Sequence, residues 1–361
     1  MKKNLISVWV WLFVAGLMTV PGQALAAEKI RFVFTTVSYA VWNNNVTIGL
    51  PKSQGGLGFF DEEGLDVEVS GASGSTDAVK LVGAGRAEAS GAVGYGPMVA
   101  GIEQGMPIIS CFADGLKNKQ FIVVLENSPI KSLKDLKGKK VGIYSAGSDG
   151  VYFAKAMAKE VGLDPEKDIE LVPIGLGAQA LNAIKEGKVV GGAFWDTAIA
   201  LMEVQGVKFR YLSTPGVERI VSGGFAVNTQ WLKNSRNTAV KFFRAIAKNE
   251  VFRKVNVAAS IKIHWKLFPQ TMPTGVPEEK AVKDMTHVLM SRIQGNPELT
   301  EWKGKVGIIP KELWQTSMDF FFDNGIIAKK VPVEKAFTNE LIAEANNFDM
   351  QRIIDMARNY K

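Results

Sequence analysis

The sequence predicts an α/β protein of two lobes, each a mostly parallel sheet flanked by helices, with a two-strand hinge between them. The main observation is an internal repeat: two segments 102 residues apart share one pattern of strand, turn, helix and strand. The length of 361 residues suits about two domains. The composition, 47% hydrophobic and 22% charged, is typical of a globular chain.

The N-terminus has the features of a secretory signal peptide. Lys2 and Lys3 precede an apolar stretch, residues 5–20, and Ala24 and Ala26 form an Ala-x-Ala cleavage site. We expect cleavage after Ala26, so that residues 1–26 are removed and the protein is periplasmic. The alternative is an uncleaved membrane anchor, although the stretch is shorter than the roughly 20 apolar residues of a spanning helix.

The first copy of the repeat contains strand 66–69, in which polar and apolar residues alternate. A turn of small residues, 70–75, opens a helix, and Gly85 ends that helix because glycine accepts the left-handed conformation. An apolar strand, 89–93, follows. Together with the upstream strand 30–34, these elements predict a β-α-β-α-β unit.

The second copy repeats each of these features. Strand 168–171 and turn 173–177 precede a helix that ends at Gly187, and an apolar strand follows at 190–194. Strand 140–144 takes the upstream place. The alternative is a chance similarity between two α/β units, which leaves the fold class unchanged.

Two extended stretches, 120–125 and 220–227, are placed where the chain would cross between lobes. Two adjacent crossovers permit hinge closure around a ligand. We therefore assign residues 27–117 and 225–361 to lobe one and residues 118–224 to lobe two.

Beyond residue 228 the pattern is helical, and we expect this region to complete and cover lobe one. The predicted helices are 240–251, 278–292 and 311–323.

Side chains suited to catalysis or metal binding are scarce. Cys111 is the only cysteine, and His264 and His287 are the only histidines. No intramolecular disulfide is possible, and a zinc or Cys/His catalytic site would use nearly all of these cysteine and histidine side chains.

The net charge of +7 comes from basic residues scattered among acidic ones, which does not indicate nucleic-acid binding. We expect a monomer with no cofactor, no metal and no enzymatic activity.

Three segments resemble motifs of a known family. Residues 58–69 resemble the GFF-x-x-EGL-x-V segment of periplasmic binding proteins for nitrate, sulfonate and taurine import, a group that includes the NMT1/THI5-like binders of thiamine-pyrimidine precursors. Residues 130–142 resemble the I-x-SL-x-DLKGKKVG segment of the same group, and residues 323–333 fit its C-terminal pattern. Fungal relatives that are thiamine-pyrimidine synthases carry a CCCFC motif, which is absent here.

The resemblance implies the type II periplasmic-binding-protein fold. It also implies a receptor that captures a small molecule between its lobes and delivers it to an inner-membrane ABC permease and its ATPase.

Polar candidates for the ligand site lie in turns that feed helix N-termini, where unpaired amides and the helix dipole attract polar groups. The alternative role for the serines is helix capping. These candidates are Ser73, Gly74, Ser75, Ser145, Gly147, Ser148, Gly177 and Gln179.

Aromatic residues recur at the same strand ends and predict the walls of a cleft, the alternative being core packing. They are Tyr39, Trp42, Tyr95, Tyr152 and Trp195. Asp196 follows Trp195 and would suit an amine or a ring N–H, whereas Asp149 has the place of a first-turn acid.

We expect the ligand to be a small organic molecule with a flat apolar body and an anionic or polar end. The rival is a small anion such as a sulfonate. Two other functions stay open: an exported sensor subunit with the same fold, and a dinucleotide-dependent oxidoreductase. The second follows from the G-x-G-x-x-A pattern of Gly175, Gly177 and Ala180, with Asp196 about 20 residues further on.

Overall fold

The computed structural model describes residues 27–38, 40–221, 223–294, 301 and 304–360. The predicted signal peptide and the candidate Tyr39 lie outside these residues. Among the helices described, none has both the length and the apolar character that a bilayer span requires.

In the described part of the chain, ten strands form two five-stranded sheets. The strands are β1 Glu28–Phe34, β2 Leu65–Gly71, β3 Ala89–Gly94, β4 Ile108–Gly115, β5 Gln120–Leu125, β6 Lys139–Ile143, β7 Ile169–Pro173, β8 Gly192–Trp195, β9 Phe209–Leu212 and β10 Gly223–Asn228. The first sheet has the order β2-β1-β3-β10-β4, and the second has the order β7-β6-β8-β5-β9.

The two sheets have the same topology, which confirms the repeat. The strand β1 pairs in parallel with β2 and β3, as β6 does with β7 and β8. One strand in each sheet is antiparallel to both neighbours, namely β10 in the first and β5 in the second. Each sheet is therefore mostly parallel, as predicted, and its antiparallel strand directly follows a crossover.

Helices lie at the positions that the sequence pattern predicts, although the helix predicted at 240–251 spans Arg236–Val255 and the helix Val257–Leu267 was not predicted. Those described are α1 Asn44–Thr47, α2 Phe59–Glu62, α3 Ser75–Gly83, α4 Tyr95–Glu103, α5 Asp149–Glu160, α6 Ala178–Lys185, α7 Asp196–Glu203, α8 Pro215–Glu218, α9 Thr229–Asn234, α10 Arg236–Val255, α11 Val257–Leu267, α12 Glu278–Ile293, α13 Lys311–Asp323, α14 Val333–Ala336, α15 Ile342–Ala345 and α16 Met350–Asn359. Gly85 and Gly187 follow the equivalent helices α3 and α6 with φ of 67° and 70°, the left-handed conformation that glycine adopts freely.

Two crossovers connect the sheets. Residues 116–119 lead from β4 to β5, and the segment that contains α8 leads from β9 to β10. The strand β10 already pairs with the first sheet at Gly223. The exact boundaries of the lobes stay a prediction.

The helical C-terminal region covers the first sheet and also contacts helices of the second. Helix α10 packs against α1 and α2, whereas α12 packs against both α11 and α7. Phe321 of α13 makes an edge-to-face contact with Phe153 of α5 at 5.7 Å. Two helices that follow the second crossover, α12 and α13, therefore contact helices of the second lobe.

Candidate ligand-binding site

A narrow cavity lies between the two sheets, and the space open to the centres of water-sized molecules is about 40 Å³ in this closed conformation. Its wall combines residues of both lobes at the strand ends that face each other. Five predicted site residues lie in this wall: Trp42, Gly74, Ser75, Ser148 and Trp195. Nine further wall residues were not among the predicted site residues: Thr35, Ala92, Gly94, Asp114, Gln120, Tyr144, Asp149, Gly223 and Arg292.

Four other predicted residues form the rim where the lobes touch. The Ser145 hydroxyl donates to the Ser73 carbonyl, and the amide of Thr76 donates to the Gly147 carbonyl at 3.0 Å. The hydroxyl of Tyr152 lies 3.4 Å from that of Thr76. These contacts join lobe one to lobe two directly, so the described conformation is closed.

The remaining predicted residues lie elsewhere. Tyr95 is fully buried in the core, 4.3 Å from the Trp314 ring, because it begins α4 and turns beneath the sheet. Gly177 and Gln179 start α6 at a place where the neighbouring side chains are apolar or solvent-exposed rather than part of the wall. Asp196 is buried in an ion pair with Arg292. These four residues lie near strand ends, as predicted, but they are not part of the cavity wall.

Glycines let the lobes approach closely around the cavity. A Cβ on Gly94 would lie 2.0 Å from Cγ of Asp149, and one on Gly74 would lie 2.5 Å from the Gly147 carbonyl oxygen. Both contacts cross from one lobe to the other. Any larger residue at these positions would hold the lobes apart or displace Asp149.

Three aromatic rings form the apolar part of the wall. Trp42 and Trp195 come from opposite lobes and meet edge to face with ring centroids 6.1 Å apart. Tyr144 directly follows the strand β6 and contacts Trp195 in the same geometry, with ring centroids 5.9 Å apart. Perpendicular rings of this kind offer both a face and an edge to a flat ligand.

Asp149 is the unusual polar group of the wall. It begins α5 and its carboxylate is buried against Gly94 and Gly96. Burial raises the pKa of Asp149 well above its ordinary value, and hydrogen bonds from the Gly96 amide and Gln120 only partly offset that rise. Gln120 Nε2 donates to Asp149 Oδ2 at 3.0 Å. Among the described residues, no well-aligned hydrogen bond reaches Asp149 Oδ1 or Gln120 Oε1, although the Gly96 amide lies close enough to Asp149 to lower its pKa.

The cation in the wall, Arg292, is already engaged. Its guanidinium donates to both carboxylate oxygens of Asp196, at 2.6 and 2.8 Å, and to Asp114 Oδ2 at 2.8 Å. Burial alone would raise the pKa of Asp196, but Arg292 and Lys119 outweigh it and keep that pKa below its ordinary value. The guanidinium of Arg292 is therefore not free to bind an anion, whereas oxygens of Asp149 and Gln120 face the cavity without a well-aligned hydrogen bond from the described residues.

The missed wall residues share a topological signature. Asp114 is the penultimate residue of β4 and Gln120 begins β5, so both lie beside the first crossover. Gly223 begins β10. Antiparallel strands begin where their parallel neighbours end, so both kinds of position meet at the cleft. Arg292 comes from α12, far along the chain, and no local pattern marks it.

Cleft geometry and topology together define a two-lobed α/β protein with a periplasmic-binding-protein fold. The family model described as NMT1/THI5 like matches residues 55–250. The chain belongs to this family.

Relatives and solved structures agree with that assignment. A thiamine biosynthesis protein of Haemophilus influenzae is 31% identical over 206 residues, covering 55% of this chain and 60% of the relative. A yeast protein, the 4-amino-5-hydroxymethyl-2-methylpyrimidine phosphate synthase THI13 of Saccharomyces cerevisiae, is 25% identical over 249 residues, covering 62% of this chain and 66% of the relative. The match thus spans about two thirds or less of each relative.

The solved structure of the periplasmic aliphatic sulphonate binding protein SsuA from Escherichia coli has a TM-score of 0.58 at 19% identity, covering 85% of this chain and 91% of that one. Other matched structures include binding proteins for sulfonates and nitrate. The relatives thus include binding proteins and, in yeast, synthases.

Stability should depend on the titration of Asp149. The unfolded chain releases this proton near pH 4, whereas the folded protein retains it to a higher pH. Between these two values the folded state binds more protons, so the unfolding free energy falls as the pH rises, by up to about 1.4 kcal/mol per pH unit. Urea unfolding of the ligand-free protein and of Asp149→Asn from pH 4 to pH 8 measures this contribution as the difference between the two curves. Parallel curves would contradict it.

Proposed function

We propose that this protein is the extracytoplasmic receptor of an ABC importer and that it binds a compact nitrogen heteroaromatic with an amino group, such as an aminopyrimidine. The closed two-lobed cavity and the family support the receptor role. The export signal predicted in residues 1–26 supports a periplasmic location.

One observation carries the choice of ligand. Among the described residues, Gln120 Oε1 and Asp149 Oδ1 lack a hydrogen-bond partner in a wall that also holds Trp42, Tyr144 and Trp195. The Gln120 oxygen is an acceptor, and the Asp149 carboxyl becomes one when a basic ligand takes its proton. A flat ring with an exocyclic amino group supplies N–H donors to such acceptors while its faces contact the aromatic rings. A protonated ring nitrogen would add an ion pair with Asp149.

The wall charge disfavours the small anion that the sequence left open. A sulfonate or nitrate would meet the carboxyl groups of Asp114 and Asp149, and the guanidinium of Arg292 is already shared between two carboxylates. A buried anion without a free cation or donor carries a high desolvation cost.

The dinucleotide alternative also loses support. Asp196, which would hold a ribose hydroxyl, is buried and bonded to Arg292. Gly177 lies beside Leu201 rather than in the cavity wall. An exported sensor with the same fold would bind the same ligand, and coding regions for a permease and an ATPase beside this one would distinguish the importer.

Isothermal titration calorimetry with a ligand panel tests the ligand class. We expect binding of 4-amino-5-hydroxymethyl-2-methylpyrimidine and weaker or no binding of benzoate, taurine and nitrate. The matched control is the same pyrimidine without its amino group, which should bind at least about tenfold more weakly because two buried acceptors lose their donor. Binding confined to the anions would overturn the proposal.

A further inference from the structure

Helix α12 packs on both lobes beside the cavity, and its Arg292 is part of the cavity wall. Its buried side chains include Met285, Val288 and Leu289. They belong to one apolar cluster with Trp42 and Trp265 on the lobe-one side and Ala200 of α7 on the lobe-two side. Hinge opening moves these two sides apart, so it must separate α12 from one of them.

A single guanidinium at the C-terminal end of this helix also joins the two sheets. Arg292 binds Asp114, at the end of β4 in the first sheet, and Asp196, at the start of α7 beyond the second sheet. All three side chains are less than 10% exposed. Two parallel hydrogen bonds to Asp196 give the pair the bidentate geometry in which arginine binds carboxylates most strongly.

The first crossover is bonded to the same cluster. Lys119 Nζ donates to the carbonyl oxygen of Arg292 and lies 3.7 Å from Asp196 Oδ2. The amide of Asp196 donates to the Lys119 carbonyl at 2.8 Å. The neighbouring Arg253 lies 3.9 Å from Asp114. The hinge segment, the helix α12 and the start of α7 therefore form one connected set of charges.

We propose that α12 is a clasp that holds the lobes closed, and that the lobes open only when Arg292 leaves Asp196. The ion pair then sets both the open fraction of the ligand-free protein and the rate of ligand dissociation. Because Asp196 lies outside the cavity wall, it acts as a positioning residue. This inference rests on the proposed receptor function only in that the lobes must open, and its first readout needs no ligand.

Spin-label distances across the cleft test the clasp directly. Lys80→Cys in α3 and Lys185→Cys in α6 place labels on exposed positions of opposite lobes, and the native Cys111 is buried and does not compete for the label. We expect a single short distance in the ligand-free parent. In Asp196→Asn, a longer distance should become the main population, because the neutral amide breaks the bidentate pair.

Dissociation of the pyrimidine, followed by stopped-flow tryptophan fluorescence, gives the second readout. We expect Asp196→Asn to release the ligand about ten- to 100-fold faster. Lys262→Ala is the matched control: it breaks the exposed Lys262–Glu278 pair, which joins α12 only to α11. Glu203→Gln weakens the contact with the exposed His287, which joins α12 to α7, and the new amide keeps an acceptor for the Tyr211 hydroxyl. Both controls should change neither readout.

A folded Asp196→Asn protein with the parent's distance distribution and dissociation rate would overturn the clasp. Circular dichroism establishes folding; if this variant does not fold, Arg292→Lys is used instead. It keeps a cation beside Asp114 but lacks the planar fork, so it should show the same changes to a smaller extent. If the labels separate in Asp196→Asn but no aminopyrimidine binds the parent, the clasp stands and the ligand proposal fails.

Discussion

Asp149→Asn is expected to lower the affinity for the aminopyrimidine about 100-fold while it stabilises the ligand-free protein. The carboxylate is the buried acceptor that faces the cavity, and charge-assisted hydrogen bonds contribute about 1.5–3 kcal/mol. The amide keeps the shape and the bond to Gln120 but cannot carry the charge. Without a ligand, that charge or its retained proton is a cost of burial, so its removal should raise the unfolding free energy by about 1–2 kcal/mol at pH 7.

Calorimetry gives the affinity and urea unfolding gives the stability of the same preparation. The control is Asp77→Asn, an acid in the first turn of α3 that lies outside the cavity wall. It should leave the affinity unchanged. Equal affinities of the parent and Asp149→Asn would remove this carboxylate from the ligand site.

Gly94→Ala is expected to weaken ligand binding at least about 100-fold with little loss of stability. Gly94 has φ of −64° and ψ of 145°, a conformation that alanine adopts without strain. The new Cβ would lie 2.0 Å from Cγ of Asp149 across the lobe contact, so the closed state becomes inaccessible or Asp149 is displaced. The open protein has no such contact and should fold normally.

Gly147→Ala is the matched control, since it lies at the same rim on the opposite lobe. Within the described part of the chain, the nearest atom to a Cβ on Gly147 would be Thr76 Cβ, at 3.7 Å. Calorimetry should therefore find near-parental affinity for Gly147→Ala. If Gly94→Ala binds as tightly as this control, the closed contact between Gly94 and Asp149 is not part of the bound state.

The fold was predictable because its signals are local. Alternating and apolar runs mark the strands, and Gly85 and Gly187 adopt the left-handed conformation that ends equivalent helices. Sequence predicted the helix 311–323 with the bounds that α13 has. The sequence did not show that β5 and β10 would each run antiparallel to both neighbouring strands. Strand pairing depends on residues far apart in the chain.

The site was predictable only in part. Trp42, Ser75 and Trp195 line the cavity because strand ends and helix starts converge there. Tyr95 holds an equivalent place in the chain, yet it points into the core. The direction of a side chain at a strand end depends on the local twist and on what packs beneath it, and the residue pattern contains neither.

The sequence by itself determined the duplicated α/β lobes, the scarcity of reactive side chains and the turns around the cleft. Only the tertiary structure decided the polarity of the cavity. Arg292 is paired with Asp196 and with Asp114, 178 positions away in sequence, so its guanidinium is not free to bind a ligand. Among the described residues, oxygens of Asp149 and Gln120 are left without a well-aligned hydrogen bond at the cavity. Charge pairing in a buried site depends on distances of a few ångströms, and those distances are set by the packing of α12 against both lobes.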